Sequence, residues 1–356
     1  MKITLTTIVK NEQSHLASCL LSVKEYVNEM IVVDTGSTDN TKQIAIDCGA
    51  TVYDFPWTNS FAEARNYALQ QATGDWILVL DADEQLVPET AHAIRKFADG
   101  SPAIGRVNII SKYLDNGEIH YAKSPISRFF PKGVYYKGNI HEQVVSDLPH
   151  RMTEISILHD GYYQTDKTER NLKLLNRELE QDKNNPYLLM QIAREHKNKQ
   201  DYVTADFYFS QSYKLTTKRE GYFPKLVVEF IYNLMKLSKL DECYNIIQQE
   251  QPTLEEYPDF HFASGMFYMD YILSNVAAHV EKLPRIEKSF LRCLQLGERA
   301  ELSGTVGTGS FLAAYNLGVY LEVVGDIQKA RHFYELSSGE GYEKATNRLR
   351  ILTAGM

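Results

Sequence analysis

Ahead of Glu84 the chain carries a series of short apolar, β-branched runs separated by stretches of helical periodicity. This alternation narrows the possible folds more than any other feature. The runs are Ile3–Val9, Met30–Asp34, Thr51–Phe55 and Asp75–Leu80. Between them, Ser14 can cap a helix whose Leu16, Leu20, Val23 and Val27 share one face. Thr35 to Asp39 forms a turn-and-cap cluster before a helix ending near Gly49, Phe61–Ala72 reads as a helix stopped by Gly74, and a further helix is expected after Pro88. Strands spaced by helices of this length imply parallel β-α-β units with right-handed crossovers. In such sheets a ligand meets the carboxyl ends of the strands, where Asp34 and the Asp81/Asp83 pair fall.

The pattern then changes. Val107–Leu114, Ile119–Ala122, Ser127–Tyr136 and Ile155–His159 read as strands, and from Thr168 onward the chain reads as helix. Two segments align on a tetratricopeptide pattern of small residues and aromatics at fixed offsets: Ile192-Ala193, Asp201-Tyr202, Ala205 and Phe209; then Tyr315 to Gly318, Gly325-Asp326, Ala330 and Tyr334. A weaker copy centres on Leu240 and Cys243. The expectation is an α/β domain over 1–165 and an all-α helical-repeat domain over 166–356. Phe260–Val280 contains His261, Asp270, Asn275 and His279, which suits a buried helix better than a membrane span. The net charge of −8 argues against a generally basic nucleic-acid footprint. The 4 cysteines are scattered without a C-x-x-C pair and read as buried free thiols of a reducing compartment. Met1-Lys2 leads straight into a strand with no signal-peptide pattern, so a cytoplasmic protein without integral membrane association is expected.

Several constellations can carry chemistry. Asp81-Ala82-Asp83, just past a buried strand, can hold Mg²⁺ or Mn²⁺ against a diphosphate, since both cations prefer oxygen ligands shared with phosphate. Asp34 ends a strand where a nucleoside can meet it, and Ser37, Thr38 or Asp39 can cap the next helix in its place. Arg65 can pair with phosphate or grip a carboxylate in a fork. His141-Glu142 can supply a general base, or Glu142 can pair with Arg128 or Lys137. His159 ends the last strand and can be a metal ligand or a buried histidine with ordinary hydrogen bonds. Gly304 to Gly309 is glycine-rich but follows no strand and reads as an inter-helix turn.

Together, Ile8 to Glu12, Val32 to Asp39, Ala64-Arg65-Asn66 and Leu80 to Glu84 resemble, in order and spacing, the family 2 glycosyltransferases of GT-A (Rossmann-like) fold. Gly138 to Glu142 and Leu158 to Tyr162 resemble members with tetratricopeptide-like helices, among them the bacterial glycocin peptide S-glycosyltransferases of the sublancin type. The resemblance implies an inverting, metal-dependent hexosyltransferase using a UDP-sugar, with glucose as the expected hexose. It implies that Asp34 binds the base, Asp81 the ribose or diphosphate, and that Glu12, Arg65 and Arg128 join the nucleotide-sugar contacts. Asp83 and His159 are the implied metal ligands, and His141 and Glu142 the acceptor-side catalytic pair. The expected acceptor is a peptide, through a Cys or Ser side chain, chosen by the helical domain, which could equally dimerise. Related motifs occur in transferases of lipopolysaccharide core or capsule, and a non-catalytic repeat scaffold is the reading from another class. A nucleotidyltransferase is disfavoured because Lys10 to Gln13 stands where a glycine-rich phosphate loop belongs.

Overall fold

A computed structural model describes residues 1–115, 118–138, 142–159 and 168–354. The chain divides into two compact units, Met1–Glu178 and Leu179–Met356.

The first unit holds β1 (Ile3–Val9), α1 (Leu16–Val23), β2 (Glu29–Asp34), α2 (Thr41–Asp47), β3 (Thr51–Asp54), α3 (Phe61–Gln71), β4 (Trp76–Val79), β5 (Glu84–Leu86) and α4 (His92–Ala98). There follow β6 (Ile104–Asp115), β7 (Glu118–Pro131), β8 (Tyr135–Lys137), β9 (Gln143–Val145), β10 (His150–His159) and α5 (Thr168–Gln181), most of which belongs to this unit. The main sheet runs β3-β2-β1-β4-β7-β6-β10-β5, and β8 pairs with β9 separately. It is parallel through β3-β2-β1-β4 and again between β6 and β10, with β7 and β5 antiparallel to their neighbours. Alternate residues of each buried strand serve opposite faces. Met30 and Val32 join a core with Leu16, Leu20 and Ile94, while Ile31 and Val33 join one with Ala62, Ala68 and Phe130.

Three local expectations need correction. Ser14 does not cap α1: its hydroxyl meets the His15 ring, and the Glu12 carbonyl accepts the His15 and Leu16 N–H groups. The segments expected as separate strands, 119–122 and 127–136, are largely one strand, β7, because β6 pairs with it through Pro125 to Glu118. The break comes later, at Gly133, whose φ of 99° turns the chain towards β8. The buried helix expected over 260–280 ends earlier: Asn275 (φ −157°) interrupts it and then caps a short helix by accepting the Ala278 N–H.

The second unit is a tandem array of helix pairs: α6 (Pro186–Asn198) on α7 (Tyr202–Leu215), and α8 (Phe223–Lys236) on α9 (Leu240–Glu250). Next come α10 (Pro258–Ser274), α11 (Val276–His279) and α12 (Leu283–Leu296), with α10 packed on α12. α13 (Phe311–Val323) packs on α14 (Ile327–Gly339), and α15 (Glu343–Ala354) closes the array. The small-residue and aromatic offsets have a steric cause. A Cβ on Gly318 would stand 2.7 Å from the Tyr334 ring, and one on Gly265 would stand 2.7 Å from Phe290. The α10–α12 pair thus repeats the contact of α13–α14, with α11 lengthening the connection. Gln200, Ser238 and Gly325 all turn the chain at positive φ between the helices of their pairs. Two of those turns lead straight into an aspartate N-cap, Asp201 on α7 and Asp326 on α14. Among the described residues no helix is long and apolar enough to cross a membrane.

Candidate active site at the carboxyl edge of the sheet

Strand register sets the site. Val9 lies level with Asp34, and Asp34 with Asp54, so the loops after β1, β2 and β3 leave the sheet together. Thr6 is level with Val79, which brings Asp81 to the same edge two residues later. The first two loops are tied to each other. Asn11, at φ 56°, accepts the Thr38 N–H through Oδ1 (2.8 Å) and gives its own N–H to Ser37 Oγ (2.9 Å). Asp39 Oδ1 accepts the Thr41 N–H at 3.0 Å, so it serves the first turn of α2. Asp34 has a different task. Its Oδ1 accepts the N–H groups of Gly36 (3.0 Å) and Ser37 (2.9 Å), while Oδ2 is buried with no hydrogen-bond partner. Buried acceptors are rarely left unpaired, so Oδ2 is poised for a donor from a bound molecule. Glu12 is turned differently: its carboxylate lies 3.4 Å from His15 Nδ1 and its backbone N–H meets Thr41 Oγ1.

Beneath the β4 loop lies a buried ion network. Asp81 Oδ1 takes Arg65 Nη2 at 2.6 Å and Oδ2 takes Arg128 Nη2 at 2.7 Å, so each oxygen is held by a guanidinium. Arg65 continues to Glu142 through Nε, and Arg128 to Glu84 at 3.4 Å. Glu142 therefore pairs with neither of the partners its sequence surroundings suggest, Arg128 or Lys137, but with Arg65 of α3. Burial opposes the Asp81 charge, yet Arg128 and Arg65 outweigh it and hold the carboxyl well below the usual range. Burial keeps the neighbouring Glu84 above its ordinary value, although Arg128 opposes this, and its Oε2 accepts the Asp81 N–H at 2.8 Å. From α1, the Cys19 thiol donates to the Asp81 carbonyl at 3.3 Å. Arg65 Nη1 and Arg128 Nε are buried without hydrogen-bond partners, so the network keeps donors in reserve.

Asp83 and His159 meet through strand pairing. β10 runs antiparallel to β5 with His159 opposite Glu84, which sets the imidazole beside Asp83: Nε2 to Oδ2 is 3.6 Å. The Ser111 hydroxyl meets Nδ1 at 3.1 Å and orients the ring. Burial disfavours a charged imidazole, but the Asp83 hydrogen bond and charge, with Glu84 and Asp81, overcome it and raise His159. The pair favours positive charge. A carboxylate and an imidazole fit a small divalent cation, and among the described residues no group of His, Cys, Asp and Glu large enough to enclose one stands anywhere. Such an open pair suits a cation whose remaining ligands are phosphate oxygens and water.

Tyr136 escaped the sequence reading, which quoted Asn66 only beside Arg65 and gave it no role. The Asn66 side chain acts as a substitute strand neighbour for β8, donating to the Tyr136 carbonyl (2.9 Å) and accepting its N–H (2.7 Å). The Tyr136 ring then lies 5.6 Å from the Arg65 guanidinium. Its hydroxyl is buried without a partner, and burial pushes it up to about 12, against Arg128 and Arg65, so it remains a donor. The adjacency of Asn66 to Arg65 was the available signal. His141 lies outside the described residues.

Residues 4–173 match the family described as Glycosyl transferase family 2. A TPR repeat-containing protein of Synechococcus elongatus is 38% identical over 149 residues, 41% of this chain and 36% of that one. The glycosyltransferase SunS of Bacillus subtilis is 32% identical over 211 residues, 54% of this chain and 49% of the relative. The chain thus spans between about a third and a half of the length of these curated relatives. Glucosyl-3-phosphoglycerate synthase from Mycobacterium tuberculosis, crystallised with Mn²⁺, UDP and phosphoglyceric acid, is 25% identical over 31% of this chain and 43% of that chain, with a TM-score of 0.28.

Proposed function

We propose, because residues 4–173 match the family described as Glycosyl transferase family 2, that the protein moves a hexose, glucose first among candidates, from a UDP-sugar to a peptide side chain with inversion at the anomeric carbon. The observation that carries the reading is the buried Asp34 Oδ2, left without a partner at the same sheet edge as the Asp83–His159 pair. Asp34 would take a donor group of the base. Arg65 and Arg128 would offer their spare N–H groups to the sugar diphosphate, with Asp81 holding both guanidinium groups in place, and Glu12 would line the same pocket. Asp83 and His159 would hold Mg²⁺ or Mn²⁺, which supplies charge neutralisation for a departing diphosphate.

Glu142 would act as the base, alongside His141 on the acceptor side. Its carboxylate, oriented by Arg65, receives the proton of a Cys thiol or Ser hydroxyl. The sulfur or oxygen forms its bond to the anomeric carbon as the carbon–oxygen bond to the nucleoside diphosphate breaks. One in-line displacement inverts the centre. A thiol, with a reference pKa of about 8.5, demands less of this base than a hydroxyl does. The tandem helices, which can seat an extended chain, support a peptide as the acceptor.

The test is mass spectrometry of UDP-glucose and Mn²⁺ with Cys- and Ser-containing peptides, beside a lipid-core oligosaccharide. Added hexose on a peptide, lost in Glu142→Gln, supports the reading. Hexose on the oligosaccharide alone would move the acceptor to a glycan, and no transfer from any nucleotide sugar would overturn it.

A further inference from the structure

We propose that the Tyr136 hydroxyl donates a hydrogen bond to a hydroxyl oxygen of the transferred hexose, so that Tyr136 helps to set which sugar the site accepts. This role rests on the sugar-transfer reading above, whose mechanism leaves that hydroxyl unused. The fold leaves it unused as well.

The ring itself is fixed. On β8, Tyr136 stands opposite Val144 of β9. Asn66 of α3 bonds both of its backbone groups, at 2.7 and 2.9 Å. Phe130 of β7 meets the ring edge-on with centroids 6.0 Å apart, and the Arg65 guanidinium lies over the ring at 5.6 Å. Tyr136 is 5% exposed and belongs to the core that holds Ile77, Val79 and Phe130. Its hydroxyl nevertheless meets no acceptor. Phenylalanine would fill the same space without burying an unpaired donor, which is a net cost to the folded state. Packing therefore accounts for the ring but not for the oxygen, and a buried polar atom without a partner calls for another explanation.

The neighbours indicate which part of a donor substrate the oxygen would meet. It feels the charges of Arg128 and Arg65, then those of Glu142 and Asp81. In the reading above, the two guanidinium groups face the diphosphate and Glu142 faces the acceptor. Arg65 spans both sides, with Nη2 2.6 Å from Asp81 Oδ1 and Nε bonded to Glu142. The hexose is the part of the substrate that lies between the diphosphate and the acceptor-side base. A donor packed on the guanidinium that joins those two therefore borders the hexose. Its chemistry fits a sugar better than a phosphate. Burial, against the pull of Arg128 and Arg65, pushes the phenol up to about 12, so it stays protonated and neutral. The cations beside it already have anionic partners in Asp81, Glu84 and Glu142. A fixed neutral donor in a dry site discriminates sharply, because an analogue lacking the matching hydroxyl leaves it unpaired.

The experiment is calorimetric titration of the full chain, with Mn²⁺ present, in the parent and in Tyr136→Phe. The ligands are UDP and whichever of UDP-glucose, UDP-galactose and UDP-N-acetylglucosamine the parent binds most tightly. Tyr136→Phe is expected to bind the UDP-sugar at least about fivefold more weakly and UDP with unchanged affinity. Among analogues of that UDP-sugar each lacking one hexose hydroxyl, one should bind parent and variant alike, which identifies the hydroxyl that Tyr136 meets. Because the phenol oxygen has no partner in the fold, Tyr136→Phe should unfold in urea at the same or a higher midpoint. An equal loss for UDP and the UDP-sugar would assign the oxygen to the diphosphate and overturn the proposal. A loss that persists with every deoxy analogue, or a clear fall in the urea midpoint, would also overturn it. A parent that binds no UDP-sugar would overturn the sugar-transfer reading, and this role with it. A parent that binds one, matched in affinity by Tyr136→Phe, would overturn this role alone.

Discussion

Replacing Asn66 by Ala tests whether a single side chain pins β8 beneath the ion network. Asn66 makes two hydrogen bonds to the Tyr136 backbone, of 2.7 and 2.9 Å, and Tyr136 is 5% exposed. Each bond contributes about 1 kcal/mol, and buried backbone groups left without partners add a further penalty, so a loss of about 2–3 kcal/mol is expected. Asn66→Asp keeps an acceptor for the Tyr136 N–H but has no donor for its carbonyl, and should lose roughly half as much, about 1–1.5 kcal/mol. The protein provides its own reporter. Both tryptophans, Trp57 and Trp76, lie in the first unit, so urea unfolding followed by their fluorescence reads this unit apart from the helices. An Asn66→Ala midpoint shift worth less than about 0.5 kcal/mol, the size of an ordinary surface substitution, would refute the reasoning.

The helix pairs and the buried charge of Glu229 on α8 yield further expectations. Gly318→Ala and Gly265→Ala push a methyl against Tyr334 and Phe290 and should each cost about 1–3 kcal/mol by far-UV circular dichroism melting. Gly339→Ala, with nothing within 4 Å, should be neutral or slightly stabilising, and equal melting of all three would contradict the packing account. Glu229 gives a pH signature: burial opposes its charge, but Lys197 and Arg194 hold it at about 2 in the folded state, against an ordinary 4.5. A depressed carboxyl stabilises above its unfolded pKa and loses that contribution as pH falls through the folded one. Glu229→Gln should therefore melt below the parent at pH 6, and the gap should close between pH 4.5 and 2. A gap that stays constant over that range would assign its cause to packing.

The sequence made the strands easy to find because β1, β2 and β4 are buried and read as unbroken apolar runs. The carboxyl-edge placement of Asp34 and Asp81 followed from topology alone. What they touch did not. Asp81 is joined to Arg65 and Arg128 across separations of 16 and 47 residues, and Arg65 to Glu142 across 77. Pairing at that range depends on how α3, β7 and the segment before β9 are folded, which local patterns do not carry. β7 read as two strands because its middle holds Lys123, Ser124 and Pro125, which look like a turn until β6 is seen opposite. The α10–α12 repeat was hidden by the α11 insertion, which breaks the spacing the other pairs keep. Of the turns between paired helices, only Gly325 announced itself, since Gln200 and Ser238 adopt positive φ without being glycine.

The most direct test of the central claim is calorimetric titration of UDP into the intact protein, with and without Mn²⁺, in the parent and in Asp34→Ala and Asp83→Ala. The expected result is Mn²⁺-dependent binding, weakened about tenfold or more by Asp34→Ala as a buried acceptor loses its ligand, and stripped of its Mn²⁺ dependence in Asp83→Ala. UDP binding that ignores Mn²⁺ and both substitutions, or no binding of any nucleoside diphosphate, would contradict the account.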